Sequence, residues 1–162
     1  LFSAPLKKEE WSEILKMKNR LEKTNIPPDN PFRAFKKAPG GLIGIEFACQ
    51  MAVLKYGGEN PQLILANTRK VLKKLPELGL QESGQNLILQ KNYEDLRTVE
   101  LHLRRETNKA SDTLSKKPET QEALAKWMGF KDREEFWDQH QKGMMANKKI
   151  VKILINEIIS AH

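Results

Sequence analysis

The sequence predicts an all-α fold, a helical bundle of about five to seven helices, on three observations. Apolar residues recur every three to four positions in several long segments, which is the period of an amphipathic helix. Proline, glycine and asparagine stand between those segments, where they end one helix and begin the next. No segment alternates apolar and polar residues as a half-buried strand does, and even the β-branched residues 150–159 follow a helical period.

The first two predicted helices are joined by a proline-rich connector. The first covers about residues 7–23 and has four apolar residues at helical spacing: Trp11, Ile14, Leu15 and Leu21. Residues 25–31 contain three prolines and predict an extended segment. The second helix begins near Leu42 and ends at Gly57 and Gly58, which suit a helix carboxyl terminus.

Four further helices follow, and each starts at a recognisable residue. These starts lie at Asn67 or Thr68, near Gly84, at Pro118 and at Asp132. The fourth helix extends to about Thr107, and Gly129 ends the fifth. Asp132 and Glu135 are placed as a capping box for the last helix. The predicted core face of the fifth helix is Leu124, Trp127 and Met128.

The composition indicates one globular domain. The chain has 162 residues, of which 39% are hydrophobic and 30% charged, which is enough for a single core. We predict one helical domain over residues 1–162, with a leading helix and connector in 1–35 and the main bundle in 36–162. No apolar run reaches the roughly 18 to 20 residues of a membrane span, so no membrane partner is expected. The single cysteine, Cys49, fits a reducing, cytoplasmic location and is predicted to be a buried, inert thiol.

The net charge of +7 suggests nucleic-acid binding as one possible function. Of the 28 basic residues, 21 are lysines and seven are arginines, and they are spread along the chain rather than gathered in one stripe. Arginine provides most bidentate recognition of bases and phosphates. Solvated helix faces explain the charge better, so a nucleic-acid partner is not expected, and a basic nucleic-acid-binding domain remains an alternative.

Residues 36–50 are the most informative stretch, because a basic pair and a Pro-Gly-Gly turn lead into an apolar helix. The glycines permit the close approach of a ligand or another backbone, and the free N–H groups of the first helical turn favour an anion. Two hydrogen-bonding side chains lie one turn apart in the first half of this helix. The candidates for a nucleotide or domain interface are therefore Lys36, Lys37, Gly40, Gly41, Glu46 and Gln50. The alternative is a plain helix start, with Glu46 in a structural ion pair.

A second carboxylate, Glu100, falls within the apolar stripe of the fourth helix. A carboxylate on a core face is costly unless it is paired. Arg97 and Arg104 lie three and four residues away, where a helix brings side chains together. We predict that Glu100 is largely buried and paired with Arg97, with Arg104 or with a base on a neighbouring helix.

No catalytic residue and no metal ligand is predicted in the chain. The histidines His102, His140 and His162 have no cysteine or carboxylate at ligand spacing. The carboxylates of Asp132 and Glu134 belong to a helix start, and no pair of a nucleophile and a base is evident.

Several stretches, taken in order, carry a resemblance to a known family. These are residues 36–50, 56–61, 67–68, 93–100, 110–115 and 124–130. They resemble motifs of the glutamine synthetase adenylyltransferases (glutamate-ammonia-ligase adenylyltransferases), such as Gly-Pro-Gly-Gly before a helix with Glu-Phe, and Tyr-x-Phe-Leu-Arg-x-Val-Glu-His. The resemblance runs from about Lys36 to about Val151 with near-family spacings.

The chain also departs from this family at polar positions. Ile43 and Gly44 stand where the family has an arginine and an acidic residue, and Leu101 and Asp112 stand where it has histidines. The positions that are kept are Pro39, Gly40, Gly41, Glu46, Gln50, Tyr93, Leu96, Arg97 and Glu100. The resemblance is that of a divergent member whose fold is kept better than its chemistry.

The resemblance implies a part in AMP transfer to a protein and in nitrogen regulation. Enzymes of this superfamily hold metal and triphosphate with a Gly-Ser loop and an Asp-x-Asp or Asp-x-Glu strand, and this sequence has neither. We therefore expect a fragment of a longer protein, not catalytic alone, that docks a substrate or regulator. The implied parent would use ATP and Mg²⁺, an amino-terminal nucleotidyltransferase domain, and as partners glutamine synthetase and a PII-type signal protein. A degenerate interaction domain without enzyme activity is the main alternative.

Overall fold

The computed structural model describes residues 5–64 and 66–161, which form six α-helices, two short 3₁₀ turns and no strand. The helices are α1 (Lys8–Lys23), α2 (Leu42–Tyr56), α3 (Thr68–Glu77), α4 (Ser83–Thr107), α5 (Pro118–Trp127) and α6 (Arg133–Ser160). The all-α prediction is confirmed. The outermost residues of the predicted domain, 1–4 and His162, lie outside the described residues, as does Leu65.

Helix α2 lies in the middle of the bundle, in contact with α1, α3, α4 and α6. It is apolar on nearly every side, as a helix surrounded by protein must be, and Ile45, Ala48 and Ala52 have no exposed surface. The two longest helices, α4 and α6, pack against α2 and against each other, and α5 packs on α6. None of the helices in the described part of the chain is long and apolar enough to cross a membrane.

The predicted helix starts are largely confirmed by their hydrogen bonds. The Asn67 side chain accepts the Lys70 N–H at 3.0 Å, and the Asp132 side chain accepts the Glu135 N–H at 2.9 Å. The predicted capping box is only half formed, because the Glu135 carboxylate accepts the N–H of Lys131 instead of that of Asp132.

Helix α3 includes Pro76 and ends at Glu77, and the chain turns two residues later at Gly79, which has a φ of +70°. One prediction about the core was wrong in detail. Trp127, predicted in the core, is 45% exposed, and its ring lies against His102 with centroids 4.9 Å apart. Trp127 is the last residue of α5, and its ring packs against His102 of α4 instead of following the core face of its own short helix.

Candidate functional site

Charged residues from three separate motifs meet beside the amino terminus of α2. We call this group the Glu100 cluster, and it consists of Lys36, Lys37, Glu46, Tyr93, Arg97, Glu100 and Asp112. The packing of α2 on α4 brings the first two motifs together. The third joins them because the segment 108–117, between α4 and α5, returns across the bundle.

Glu100 lies at the centre of the cluster, and its side chain is 12% exposed. Its Oε2 is 2.8 Å from Lys36 Nζ, and its Oε1 accepts a hydrogen bond from Arg97 at 2.5 Å. The largely buried carboxylate is thus compensated by one cation from its own helix and one from the loop. Arg104 is exposed and makes no ion pair with any described residue, so of the two candidate arginines only Arg97 is used.

Asp112 ties segment 108–117 to the two lysines. Its carboxylate oxygens lie 3.5 Å from Lys36 Nζ and 3.6 Å from Lys37 Nζ. The same segment is anchored at Leu114, whose N–H donates to the Arg33 carbonyl at 2.7 Å and whose carbonyl accepts from Arg33 Nε at 2.8 Å. Asp112, which stands where the family has a histidine, therefore makes an electrostatic contact across the cluster.

Glu46 forms the back of the cluster and is half-buried. The Tyr93 hydroxyl donates to its Oε1 over a long 3.5 Å. Burial raises the pKa of Glu46; the Arg97 guanidinium opposes this shift, and the Glu100 carboxylate adds to it. Burial likewise raises the pKa of the Cys49 thiol, one turn further along α2, to about 12, and the thiol is buried as predicted.

The glycine turn lies inside the protein rather than on an exposed face. Gly40 has a φ of +85°, and a Cβ there would lie 1.9 Å from the Met144 carbonyl oxygen of α6. A Cβ on Gly41 would lie 2.6 Å from the Phe35 carbonyl oxygen. Both glycines are therefore required by the close approach of other backbone atoms, and neither lines an open surface.

Two N–H groups of the anion site predicted at the start of α2 are already bonded within the chain. The N–H groups of Leu42 and Ile43 donate to the carbonyls of Phe35 and Lys36, at 3.1 and 2.9 Å. These donors are no longer free for a phosphate, because the chain before the helix folds back over its end. Gln50, one of the candidates for a nucleotide or domain interface, is exposed, and its side chain makes no hydrogen bond to the rest of the described chain.

Two residues that depart from the family pattern, Gly44 and Leu101, lie in different surroundings. The position where a side chain of residue 44 would begin lies 3.5 Å from the carboxylate of Glu22, which α1 places over Gly44. Glu22 is itself largely buried and paired with Lys18. Leu101, at a family histidine position, is 51% exposed and lies on the outer side of α4.

The carboxylates of the cluster do not fit Mg²⁺. Glu100 and Asp112 are already paired with lysine or arginine, and Glu46 is the half-buried acceptor of Tyr93. Magnesium requires carboxylates that are free to coordinate it. Among the described residues, no group of three or more histidine, cysteine or acidic side chains is arranged to hold a metal ion.

A buried amide pair that sequence reasoning missed holds the glycine turn in place. Asn147 on α6 has no exposed surface; it donates to the Gly40 carbonyl at 3.0 Å and accepts from Asn92 on α4 at 2.9 Å. Asn92 also donates to the Gly143 carbonyl at 3.2 Å. The signal available in the sequence was a single asparagine on the apolar face of the last helix.

Comparison with known proteins agrees with this arrangement of motifs. The profile of the family described as GlnD PII-uridylyltransferase matches residues 12–156. The chain belongs to this family. The matched residues of the GlnD PII-uridylyltransferase family include α2 to α5, the glycine turn and every residue of the Glu100 cluster.

Curated relatives confirm the more specific resemblance to glutamine synthetase adenylyltransferases. The "Bifunctional glutamine synthetase adenylyltransferase/adenylyl-removing enzyme" of Neisseria meningitidis serogroup B is 35% identical over 125 residues, 77% of this chain and 14% of the relative. The protein of the same name from Chromobacterium violaceum is 36% identical over 103 residues, 64% of this chain and 12% of the relative. This chain thus spans 14% or less of the length of these two relatives.

Proposed function

We propose that this chain is the helical, non-catalytic region of an adenylyltransferase-like nucleotidyltransferase, and that it docks a protein through the Glu100 cluster. The observation that carries this proposal is the convergence of three family motifs on one cluster. Residues separated by 76 positions, Lys36 and Asp112, are in ionic contact there. This degree of convergence suits a common task better than three unrelated structural roles.

The cluster has a closed interior and an open rim, which suits recognition of a protein surface. Glu100 and Lys36 are 12% and 16% exposed, whereas Arg97 and Asp112 are 39% and 50% exposed. Fixed charges of both signs at the rim favour partners with a complementary pattern. The proposed partner at this rim is a nucleotidyltransferase domain, which would bind ATP and Mg²⁺ itself, because the carboxylates of the cluster are already paired.

The proteins to be modified or sensed are proposed from the relatives alone. As their name states, those relatives act on glutamine synthetase. We propose glutamine synthetase as the target and a PII-type signal protein as a regulator, in a cytoplasmic pathway of nitrogen metabolism. Helical surfaces away from the rim would remain free for them.

A degenerate interaction domain without enzyme activity is the second candidate, and one observation favours it. At four polar family positions this chain has Ile43, Gly44, Leu101 and Asp112. Two of these positions make other contacts in this chain: the Glu22 carboxylate lies over Gly44, and Asp112 pairs with Lys36 and Lys37.

A chimaera distinguishes the two candidates. The matching 125-residue region of the Neisseria meningitidis relative is replaced with this chain, and transfer of AMP to glutamine synthetase is measured with ATP and Mg²⁺. We expect the chimaera to transfer AMP to glutamine synthetase and this chain alone to transfer none. A folded chimaera without transfer would favour the degenerate domain.

A pair of matched variants tests the rim. Lys37→Glu reverses a charge in the Glu100 cluster, and Lys16→Glu reverses one in an exposed ion pair on α1. We expect Lys37→Glu to lower transfer by the chimaera about tenfold or more and Lys16→Glu to leave it unchanged. Both variants should melt within a few degrees of the parent. Equal activities of the two would show that the rim is not the docking surface.

A further inference from the structure

A groove of about 270 Å³ lies between α4 and α6, and no residue of the Glu100 cluster lines it. One end is closed by the turn after α5. Its apolar lining consists of Leu96, Val99, Met128, Phe130, Phe136 and Met144. A partly enclosed, mostly apolar cavity with a few polar groups is the usual form of a small-molecule site.

His140 and Asn92 line this groove, and each has a hydrogen-bond acceptor that no described residue uses. His140 is 9% exposed, and its Nε2 donates to the Phe32 carbonyl at 2.8 Å, which leaves Nδ1 as an acceptor. Burial lowers the pKa of His140, so the neutral ring with this free acceptor is favoured. The Asn92 amide uses its N–H groups on Gly143 and Asn147, and its Oδ1 accepts no hydrogen bond within the described chain.

Gly143 is an independent sign that the groove is kept open. It lies in the interior of the 28-residue helix α6, where glycine is unfavourable relative to alanine. A Cβ there would meet its nearest atoms, those of the Asn92 amide, at 3.5 Å, which is ordinary van der Waals contact. Packing does not require this glycine, and its effect is to leave the groove wall without a side chain.

The charges at the mouth of the groove are already paired. Lys91 lies 2.8 Å from Asp95, and Lys142 lies 2.9 Å from Asp138. A charged ligand would have to compete with these pairs. The groove therefore offers an apolar, partly aromatic wall and free acceptors, which match an uncharged molecule with a flat body and an N–H or O–H group.

We propose that this groove binds a small uncharged aromatic molecule that donates a hydrogen bond to His140 Nδ1 or Asn92 Oδ1. Indole is a suitable probe, because it is flat and has one N–H donor. Benzofuran is its matched control, with nearly the same shape and no donor. A ligand of this size reaches a Kd on the order of 1 mM.

The test uses amide chemical shifts of the full chain in two-dimensional NMR. Indole is expected to shift amides of α6 around His140, Gly143 and Ala146 in a saturable way, and benzofuran to bind at least about fivefold more weakly. Ala146→Phe fills the groove and should abolish the shifts. Met145→Phe, on the neighbouring exposed position, should leave them unchanged.

Three results would overturn the proposal. One is the absence of saturable shifts with indole in the folded protein. Another is equal binding of indole and benzofuran, which would remove the role of the two acceptors. The third is equal loss of binding in Ala146→Phe and Met145→Phe, which would place the ligand elsewhere on α6.

Discussion

Replacing Gly40 by alanine is the sharpest test of the structure around the glycine turn. Gly40 has a φ of +85°, and the new Cβ would lie 1.9 Å from the Met144 carbonyl oxygen. Real Cβ contacts essentially never fall below 3.0 Å, so the turn and α6 must separate by about 1 Å. That movement also stretches the hydrogen bond from Asn147 to the Gly40 carbonyl.

The stability lost in Gly40→Ala has two parts, and the same substitution at a second glycine measures one of them alone. The left-handed backbone costs an alanine about 1–2 kcal/mol. The forced separation and the weakened buried hydrogen bond add about 2–3 kcal/mol. Gly79→Ala carries only the first part, because Gly79 has a φ of +70° and no other atom lies within 4 Å of the place its Cβ would take. Gly40→Ala should therefore lower the free energy of unfolding by about 3–5 kcal/mol.

Urea unfolding followed by tryptophan fluorescence measures both variants. The difference between them should be about 2 kcal/mol or more, which corresponds to a melting temperature lower by at least about 4 °C in Gly40→Ala than in Gly79→Ala. An equal loss of stability in the two variants would mean that the turn does not lie against α6.

Three further predictions concern the cluster and the groove. Glu100→Ala leaves the largely buried Lys36 without its partner, so it should lower the free energy of unfolding, measured by urea titration, by about 2–4 kcal/mol. Asp95→Ala, which breaks an exposed pair, should lower it by under about 1 kcal/mol. Similar losses in the two variants would show that Glu100 is solvated. The pKa of Glu46 is raised mainly by burial, so its folded state holds the proton more tightly than the unfolded chain and stability is lost as the pH rises above about 4.5. Glu46→Gln should therefore gain stability relative to the wild type between about pH 4 and pH 7, and a constant difference across this range would contradict the burial of the carboxylate. Gly143→Ala should raise the free energy of unfolding, measured by calorimetric melting, by about 0.5–1 kcal/mol and should narrow the groove. A lower free energy of unfolding would mean that packing requires the glycine.

The sequence by itself determined the helices, because helix period, caps and breakers act over only a few residues. The apolar stripe of α4, the Asn67 and Asp132 caps and the largely apolar α2 were all visible in the order of residues. The ion pair between Arg97 and Glu100 was visible for the same reason, since both lie one turn apart on one helix.

Only the tertiary structure decided what the candidate residues do. Lys36 reaches Glu100 and Asp112 because α2 packs on α4 and segment 108–117 returns over them. The same folding bonds two N–H groups of the predicted anion site to the carbonyls of Phe35 and Lys36. These contacts join residues far apart in the chain, and their partners are set by packing geometry, which no local pattern of residue types encodes.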